Sequence, residues 1–171
     1  ICLDLDSIPL SYAEANLARR YHRRLEGDKV VSIEDIQGNL PERVAAALRD
    51  SGLPAAQLEL DIDEIILKEE HGRIHAALKA LAAMGVRLAI DGYGQGLSSI
   101  PRLRRHPLHA IKLDPALVRD VGASEDAEAV VEAIASMAGV LGLEILGRGV
   151  EGEAQQAFLF ALGCSLQQGP L

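Results

Sequence analysis

The amino-acid sequence predicts an α/β fold of the (β/α)8 barrel type, in which parallel strands alternate with helices. Short apolar runs alternate with helical patterns along the chain, and glycine or proline follows several of those patterns. Repeated strand–helix–strand crossovers favour a parallel sheet with right-handed connections.

The strand candidates are short runs rich in Ile, Leu and Val. In chain order they are Ile1–Leu5, Val30–Ile33, Leu58–Ile62, Val86–Ile90, Ala110–Leu113, Leu143–Leu146 and a short one at Ser165–Gln168. Between them, apolar residues recur at three- and four-residue spacing, which indicates helices that bury one face. These stripes are Leu40, Val44, Ala47 and Leu48; Ile74, Leu78 and Leu81; and Val130, Ile134, Met137, Ala138 and Leu141.

Ionisable side chains stand near the carboxyl ends of successive predicted strands. They are Asp61 and Asp63, Asp91, Lys112 and Asp114, and Glu151. In an open doubly wound sheet these residues would be spread along a crevice. In a closed barrel they would meet at one mouth, where catalytic groups collect. The number of such strand ends favours the barrel.

Composition excludes several classes of protein. The 171 residues carry a net charge of −8, so we expect no nucleic-acid surface. No apolar run approaches the roughly 18 residues that span a bilayer, so we expect no membrane contact. Cys2 and Cys164 are predicted to be buried thiols in a reducing compartment. We expect a cytoplasmic domain, alone or within a larger protein.

Five motifs resemble those of one family, and they occur in the family's order. Residues 58–64 (LELDIDE) resemble LELEITE, 89–99 (AIDGYGQGLSS) resemble ALDDFGTGYSS, and 111–114 (IKLD) resemble KID. Residues 147–155 (GRGVEGEAQ) resemble AEGVETEEQ, and Gly163, Cys164, Gln168 and Gly169 resemble GCD…QGY. The chain is therefore similar to EAL domains, a family of cyclic-di-GMP phosphodiesterases with a barrel fold.

The resemblance is clear for residues 40–171, whereas residues 1–39 diverge. The family's Glu-Ala-Leu strand is not found, and its VNLS strand has two candidates, at residues 3–6 and 33–36. We expect residues 1–171 to form a single domain of this type.

The resemblance also implies a site. Active relatives hold two divalent cations with carboxylates. Asp61 stands where the family has a ligand Glu, and Asp91 matches the first Asp of the family's pair. Gly92 replaces the second Asp, and Arg148 replaces the Glu of AEG. The implied ligand-binding set is Asp61, Asp91, Lys112, Asp114, Arg148, Glu151 and Gln168, with Lys112 and Glu151 as remnants of the catalytic set.

The lost carboxylates and the added positive charge argue against two bound cations. A divalent cation held by Asp61 and Asp91 alone would face like-charge repulsion from Arg148 and Lys112. The sequence therefore predicts that the chain is not an enzyme, that no metal cofactor is expected, and that Asp61 and Asp91 are vestigial metal ligands. Cyclic di-GMP and a protein partner are the expected partners, and a homodimer is one expected assembly.

Each residue also has an ordinary structural explanation. Asp61, Asp63 and Glu64 fit the cap of a following helix, and Lys112 with Asp114 fits a surface ion pair. Arg148 fits a salt bridge with Asp114, Glu151 or Asp91. Three functions remain: an inactive cyclic-di-GMP receptor, a nucleotide-free protein-interaction scaffold, and, least favoured, a weak metal-dependent phosphodiesterase.

Overall fold

A computed structural model describes residues 39–64, 67, 72–94 and 99–170. The predicted strands Ile1–Leu5 and Val30–Ile33, and Cys2, lie outside the described residues. Among the described residues, Cys164 is a buried free thiol, as predicted, and no helix is long and apolar enough to cross a bilayer.

Within the described residues, five parallel strands form one sheet in the order of the sequence, β1 to β5. The strands are β1 (Glu59–Asp63), β2 (Arg87–Tyr93), β3 (Ala110–Leu113), β4 (Glu144–Arg148) and β5 (Leu166–Gln168). A doubly wound sheet reverses its strand order near the middle, whereas a barrel wall keeps it. The uninterrupted order therefore matches part of a barrel wall and confirms the predicted α/β class.

In the part of the chain that the structure describes, six α-helices accompany these strands, and the first of them precedes β1. They are α1 (Leu40–Ser51), α2 (Gly72–Ala83), α3 (Ile100–Arg105), α4 (Pro115–Arg119), α5 (Glu125–Leu141) and α6 (Glu153–Ala161). Helices α1 and α5 each end at a glycine in the left-handed conformation, Gly52 (φ 66°) and Gly142 (φ 69°). Glycine adopts this conformation without the strain that a Cβ would cause, which explains why both helices stop there.

The core lies between the helices and one face of the sheet. Strand residues alternate between two faces, and the fully buried Ile62, Leu88, Ile90 and Ile111 face the helices with Leu78 and Leu81. Glu59, Asp61 and Lys112 alternate with these residues, are only partly buried and share the opposite face. The alternation thus separates an apolar core from a charged inner surface.

The predicted stripe of α5 is wrong at one position. Val130 is 46% exposed, whereas its neighbour Val131 is 1% exposed and Ala138 is fully buried. Residues 131, 134 and 138 are separated by three and four positions and share one helix face, and Val130 lies about 100° away from that of Val131. Ile134 packs against the core on this face, and the partly buried Met137 and Leu141 also pack against the core.

We expect Val131→Ala to lower the free energy of unfolding by about 2 kcal/mol, since it leaves a cavity in the core. Val130→Ala is the matched control, with an expected change within about 0.5 kcal/mol because its side chain is largely in solvent. Urea denaturation followed by circular dichroism measures both. Equal losses in the two variants would show that this face of α5 has been assigned incorrectly.

Candidate functional site

Charged and polar side chains line the inner face of the sheet at its carboxyl edge. Asp61 belongs to β1, Asp91 to β2, Lys112 to β3, Arg148 to β4 and Gln168 to β5. The strands are parallel, so their carboxyl ends lie along one edge. The structure therefore brings together most of the side chains that the sequence predicts for the site.

Lys112 binds two carboxylates of β1. Its Nζ lies 3.1 Å from Oε1 of Glu59 and also forms an ion pair with Oδ1 of Asp61. Glu59 and Asp61 are two residues apart and so point to the same face of the strand. Ala89 lies in register with Asp61 on β2, and its small side chain leaves room for Lys112 to reach across that strand. The Lys112 side chain is only 14% exposed.

Arg148 forms an ion pair with Asp91, its Nη1 contacting Oδ1 of the carboxylate. The two side chains are 18% and 14% exposed, respectively. A salt bridge of Arg148 with Asp91 is one of the ordinary explanations allowed by the sequence. The carboxyl edge therefore contains two partly buried pairs, each of one cation and at least one carboxylate.

Glu59, which binds Lys112, also takes part in a second set of ion pairs nearer the amino edge of the sheet. Arg87 Nε lies 3.4 Å from Oε2 of Glu59, and its Nη2 lies 2.7 Å from Oε2 of Glu144. We call Glu144, Arg87, Glu59, Lys112 and Asp61 the charged row. Sequence reasoning missed its first three members. The signal that points to Glu59 is its position two residues before Asp61, on the same strand face.

Burial and ion pairing act in opposite directions on these groups. Burial raises the pKa of Asp61, and the nearby Lys112 offsets only part of that effect. Burial also opposes ionisation of Glu59, but Lys112 and Arg87 outweigh it and lower the pKa of Glu59. For Lys112, burial favours the neutral amine, yet Asp61 and Glu59 together raise its pKa. Lys112 is therefore a stably protonated cation.

The other predicted site residues have local structural roles. Oδ1 of Asp114 accepts a hydrogen bond of 2.8 Å from the backbone N–H of Ala116, which caps α4. Glu151 is exposed, and its backbone N–H donates to Oε1 of Gln155 at 2.8 Å. The carbonyl of Gln168 accepts from the backbone N–H of Val150 at 3.1 Å. A ligand-binding role for these residues remains a prediction.

Two further structural explanations concern an ion pair of Lys112 with Asp114 and a helix cap formed by Asp61, Asp63 and Glu64. The ion pairs of Lys112 within the described residues are with Glu59 and Asp61, not with Asp114. Asp61 and Asp63 lie within β1, and Glu64 is buried.

We expect Lys112→Met to lower the free energy of unfolding at pH 7 by about 3 kcal/mol, because two partly buried carboxylates lose their shared cation. Without Lys112, the folded-state pKa values of Glu59 and Asp61 rise above those of the unfolded chain. Such groups stabilise the fold at low pH and lose that contribution as the pH rises through the folded pKa. The deficit relative to wild type should therefore widen from about pH 4 to about pH 7.

Thermal and urea unfolding at several pH values measure this effect. The matched control is Lys79→Met, because Lys79 is exposed on α2. A deficit in Lys112→Met that is no larger than in Lys79→Met, or that does not depend on pH, would contradict the stabilising role of the pair.

Comparison with known proteins gives close matches. The chain is 38% identical over 135 residues to Cyclic di-GMP phosphodiesterase NbdA of Pseudomonas aeruginosa, a match that covers 79% of this chain and 17% of that protein. It therefore spans a small part of that relative's length.

Solved structures share the fold. The structure titled PaMucR Phosphodiesterase, c-di-GMP complex matches with a TM-score of 0.77 and 31% identity, covering 91% of this chain and 64% of that one. Klebsiella pneumoniae BlrP1 in a manganese/cy-diGMP complex matches with a TM-score of 0.66 and 31% identity, covering 78% and 33%.

These relatives correct two predictions. The prediction that the chain is not an enzyme is contradicted by relatives named as phosphodiesterases. The prediction that no metal is expected is contradicted by the manganese complex. Both predictions rest on the carboxylates lost at Gly92 and Arg148. Yet Asp61 and Asp91 remain on adjacent strands, and carboxylate oxygens are the ligands that Mg²⁺ and Mn²⁺ prefer.

The fit of the described residues to a metal ion is partial. No group of three or more His, Cys, Asp or Glu side chains within residues 39–64, 67, 72–94 and 99–170 is arranged to hold one. Asp61 and Asp91 would be the ligands, and each is paired with a cationic side chain. A bound ion would therefore have to share Asp61 with Lys112 and Asp91 with Arg148, or displace those cations.

The family model described as EAL domain matches residues 18–171, a range that includes every described strand and helix. The relatives and the solved structures agree with this match in sequence and in fold. The chain belongs to the EAL domain family.

Proposed function

We propose that this chain binds cyclic di-GMP at the carboxyl edge of its sheet, with Lys112 and Arg148 contacting the phosphates. The observation that carries the proposal is that two cations, Lys112 and Arg148, are partly buried at this edge. Each forms an ion pair with a carboxylate from another strand. Relatives whose structures contain cyclic di-GMP support the choice of ligand.

The two cations have donors left for an anionic ligand. A guanidinium has five N–H donors, and the contact of Arg148 with Asp91 uses Nη1. The ammonium of Lys112 has three donors and contacts two carboxylates. Planar guanidinium groups match phosphate oxygens in a bidentate geometry, whereas a lysine acts as a point charge. Each cation can therefore keep its carboxylate partner and contact a phosphate.

Relatives named as phosphodiesterases support hydrolysis of the bound diester as the reaction that we propose for this edge. Lys112 and Arg148 would stabilise the negative charge that develops on the phosphoryl oxygens. A divalent cation, when bound by Asp61 and Asp91, would supply Lewis-acid activation.

Several expectations about the whole protein remain predictions. They are the single domain formed by residues 1–171, a cytoplasmic location, a protein partner and a homodimer. The receptor role belongs to the same proposal, because binding is common to a receptor and to a phosphodiesterase.

We expect Arg148→Ala to weaken the binding of cyclic di-GMP at least about tenfold, since it removes a charge-assisted contact. Isothermal titration calorimetry on the whole chain measures this, with Arg49→Ala on the exposed end of α1 as the control. Unchanged affinity in Arg148→Ala, or wild-type protein that does not bind at micromolar concentration, would contradict the proposal.

We also expect Arg148→Gln to bind Mn²⁺ about tenfold more tightly than wild type, because Asp91 loses a competing cation of like charge. Arg148→Lys keeps the positive charge and serves as the control. Electron paramagnetic resonance of free Mn²⁺ measures binding, and chromatography of the linear product measures hydrolysis in the same samples. Equal Mn²⁺ affinity in the three proteins would show that Arg148 does not compete for Asp91.

A further inference from the structure

We propose that Glu59 is a positioning residue for Lys112, and that Arg87 in turn holds Glu59 in place. This inference rests on the proposed function, because it concerns how Lys112 is presented to a phosphate. It follows from the charged row, which connects residues of four different strands through direct contacts.

The geometry around the Lys112 ammonium supports this role. Glu59 and Asp61 both contact Nζ, and both stand on the same face of β1. A lysine side chain has several rotatable bonds, and a single carboxylate would leave the ammonium free to swing around it. Two acceptors on a rigid strand define its place much more closely. The third N–H donor is then left for an anionic oxygen.

Arg87 fixes the carboxylate of Glu59. Oε1 of Glu59 faces Lys112, whereas Oε2 faces Nε of Arg87 at 3.4 Å. Arg87 lies in register with Glu59 on the neighbouring strand. Each oxygen of Glu59 therefore has its own cationic partner, and the carboxylate plane is set by the two contacts together.

The far end of the charged row provides a control. Glu144 contacts Arg87 at 2.7 Å, but its side chain is 54% exposed, and its ion-pair partner within the described residues is Arg87, not Lys112. Glu59 and Glu144 thus carry the same chemical group on the same inner face, and both bind Arg87. They differ in contact with Lys112 and in exposure, 24% for Glu59 against 54% for Glu144, and urea unfolding of both variants separates the effect of burial from that of the contact.

The test compares Glu59→Ala, Glu59→Gln and Glu144→Ala with the wild-type chain. Calorimetry with cyclic di-GMP at a fixed pH measures affinity, and ¹H–¹⁵N spectra of lysine ammonium groups report the order of Lys112. The Lys112 resonance is assigned from its absence in Lys112→Arg. Urea unfolding of each variant confirms that the protein is folded under the conditions used.

We expect Glu59→Ala to weaken binding about tenfold, as is typical when a residue that orients a ligand-binding group is removed. The Lys112 resonance should be lost through exchange with solvent in the same variant. Glu59→Gln keeps an acceptor oxygen and should recover part of the affinity and of the resonance. Glu144→Ala should leave both unchanged.

Two results would overturn the inference. One is an affinity in Glu59→Ala that equals that of Glu144→Ala or exceeds it, as expected if Glu59 serves only to neutralise charge. The other is a Lys112 resonance that is retained in Glu59→Ala. Failure of the proposed function appears differently, as a wild-type chain that does not bind cyclic di-GMP. In that case the ammonium spectra alone decide whether Glu59 positions Lys112.

Discussion

The structure depends on the neutralisation of charge on the concave face of a parallel sheet. Strands β1 to β4 place charged side chains on the inner face, where Glu59, Asp61, Lys112, Asp91 and Arg148 are partly removed from water. A carboxylate in such a place destabilises the fold unless a cation lies beside it. Lys112 and Arg148 satisfy this requirement for Asp61 and Asp91. The same requirement places two phosphate-binding groups at one edge.

The strands and most helix faces are predictable from the sequence because each depends on local periodicity. Leu78 and Leu81 are buried as their helical spacing predicts, and β3 has the predicted bounds Ala110–Leu113. Val130 is the exception, because two adjacent valines on one helix differ by only about 100° and local spacing does not show which faces the sheet. The predicted strands within residues 1–39 fall outside the described residues.

The partners of the charged side chains were much less predictable. Lys112 and Asp61 stand on strands that are separated by β2, so their contact depends on strand register and on the small side chain of Ala89. Neither the strand register nor the space beside Ala89 can be predicted from local sequence spacing. The pair of Arg148 with Asp91 was among the alternatives only because resemblance to EAL domains placed both residues at one edge. Glu59 lies within the LELDIDE motif but was given no role, and Arg87 lies outside the quoted motifs, so both were missed.

The two corrected predictions concern activity and metal binding, and both rest on sequence positions alone. Counting carboxylates by position treats Gly92 and Arg148 as losses, but the relatives show that the family includes phosphodiesterases and a manganese complex at about one third identity. Gly92 has φ 64°, a left-handed conformation that aspartate adopts at some cost, so the backbone itself favours glycine there.

A crystal structure of the chain with cyclic di-GMP would test the central claim most directly. The account predicts phosphate oxygens within hydrogen-bond distance of Nζ of Lys112 and of the guanidinium of Arg148, with Glu59 still in contact with Lys112. A dinucleotide bound elsewhere on the chain, or one at this edge whose phosphates contact neither cation, would contradict it.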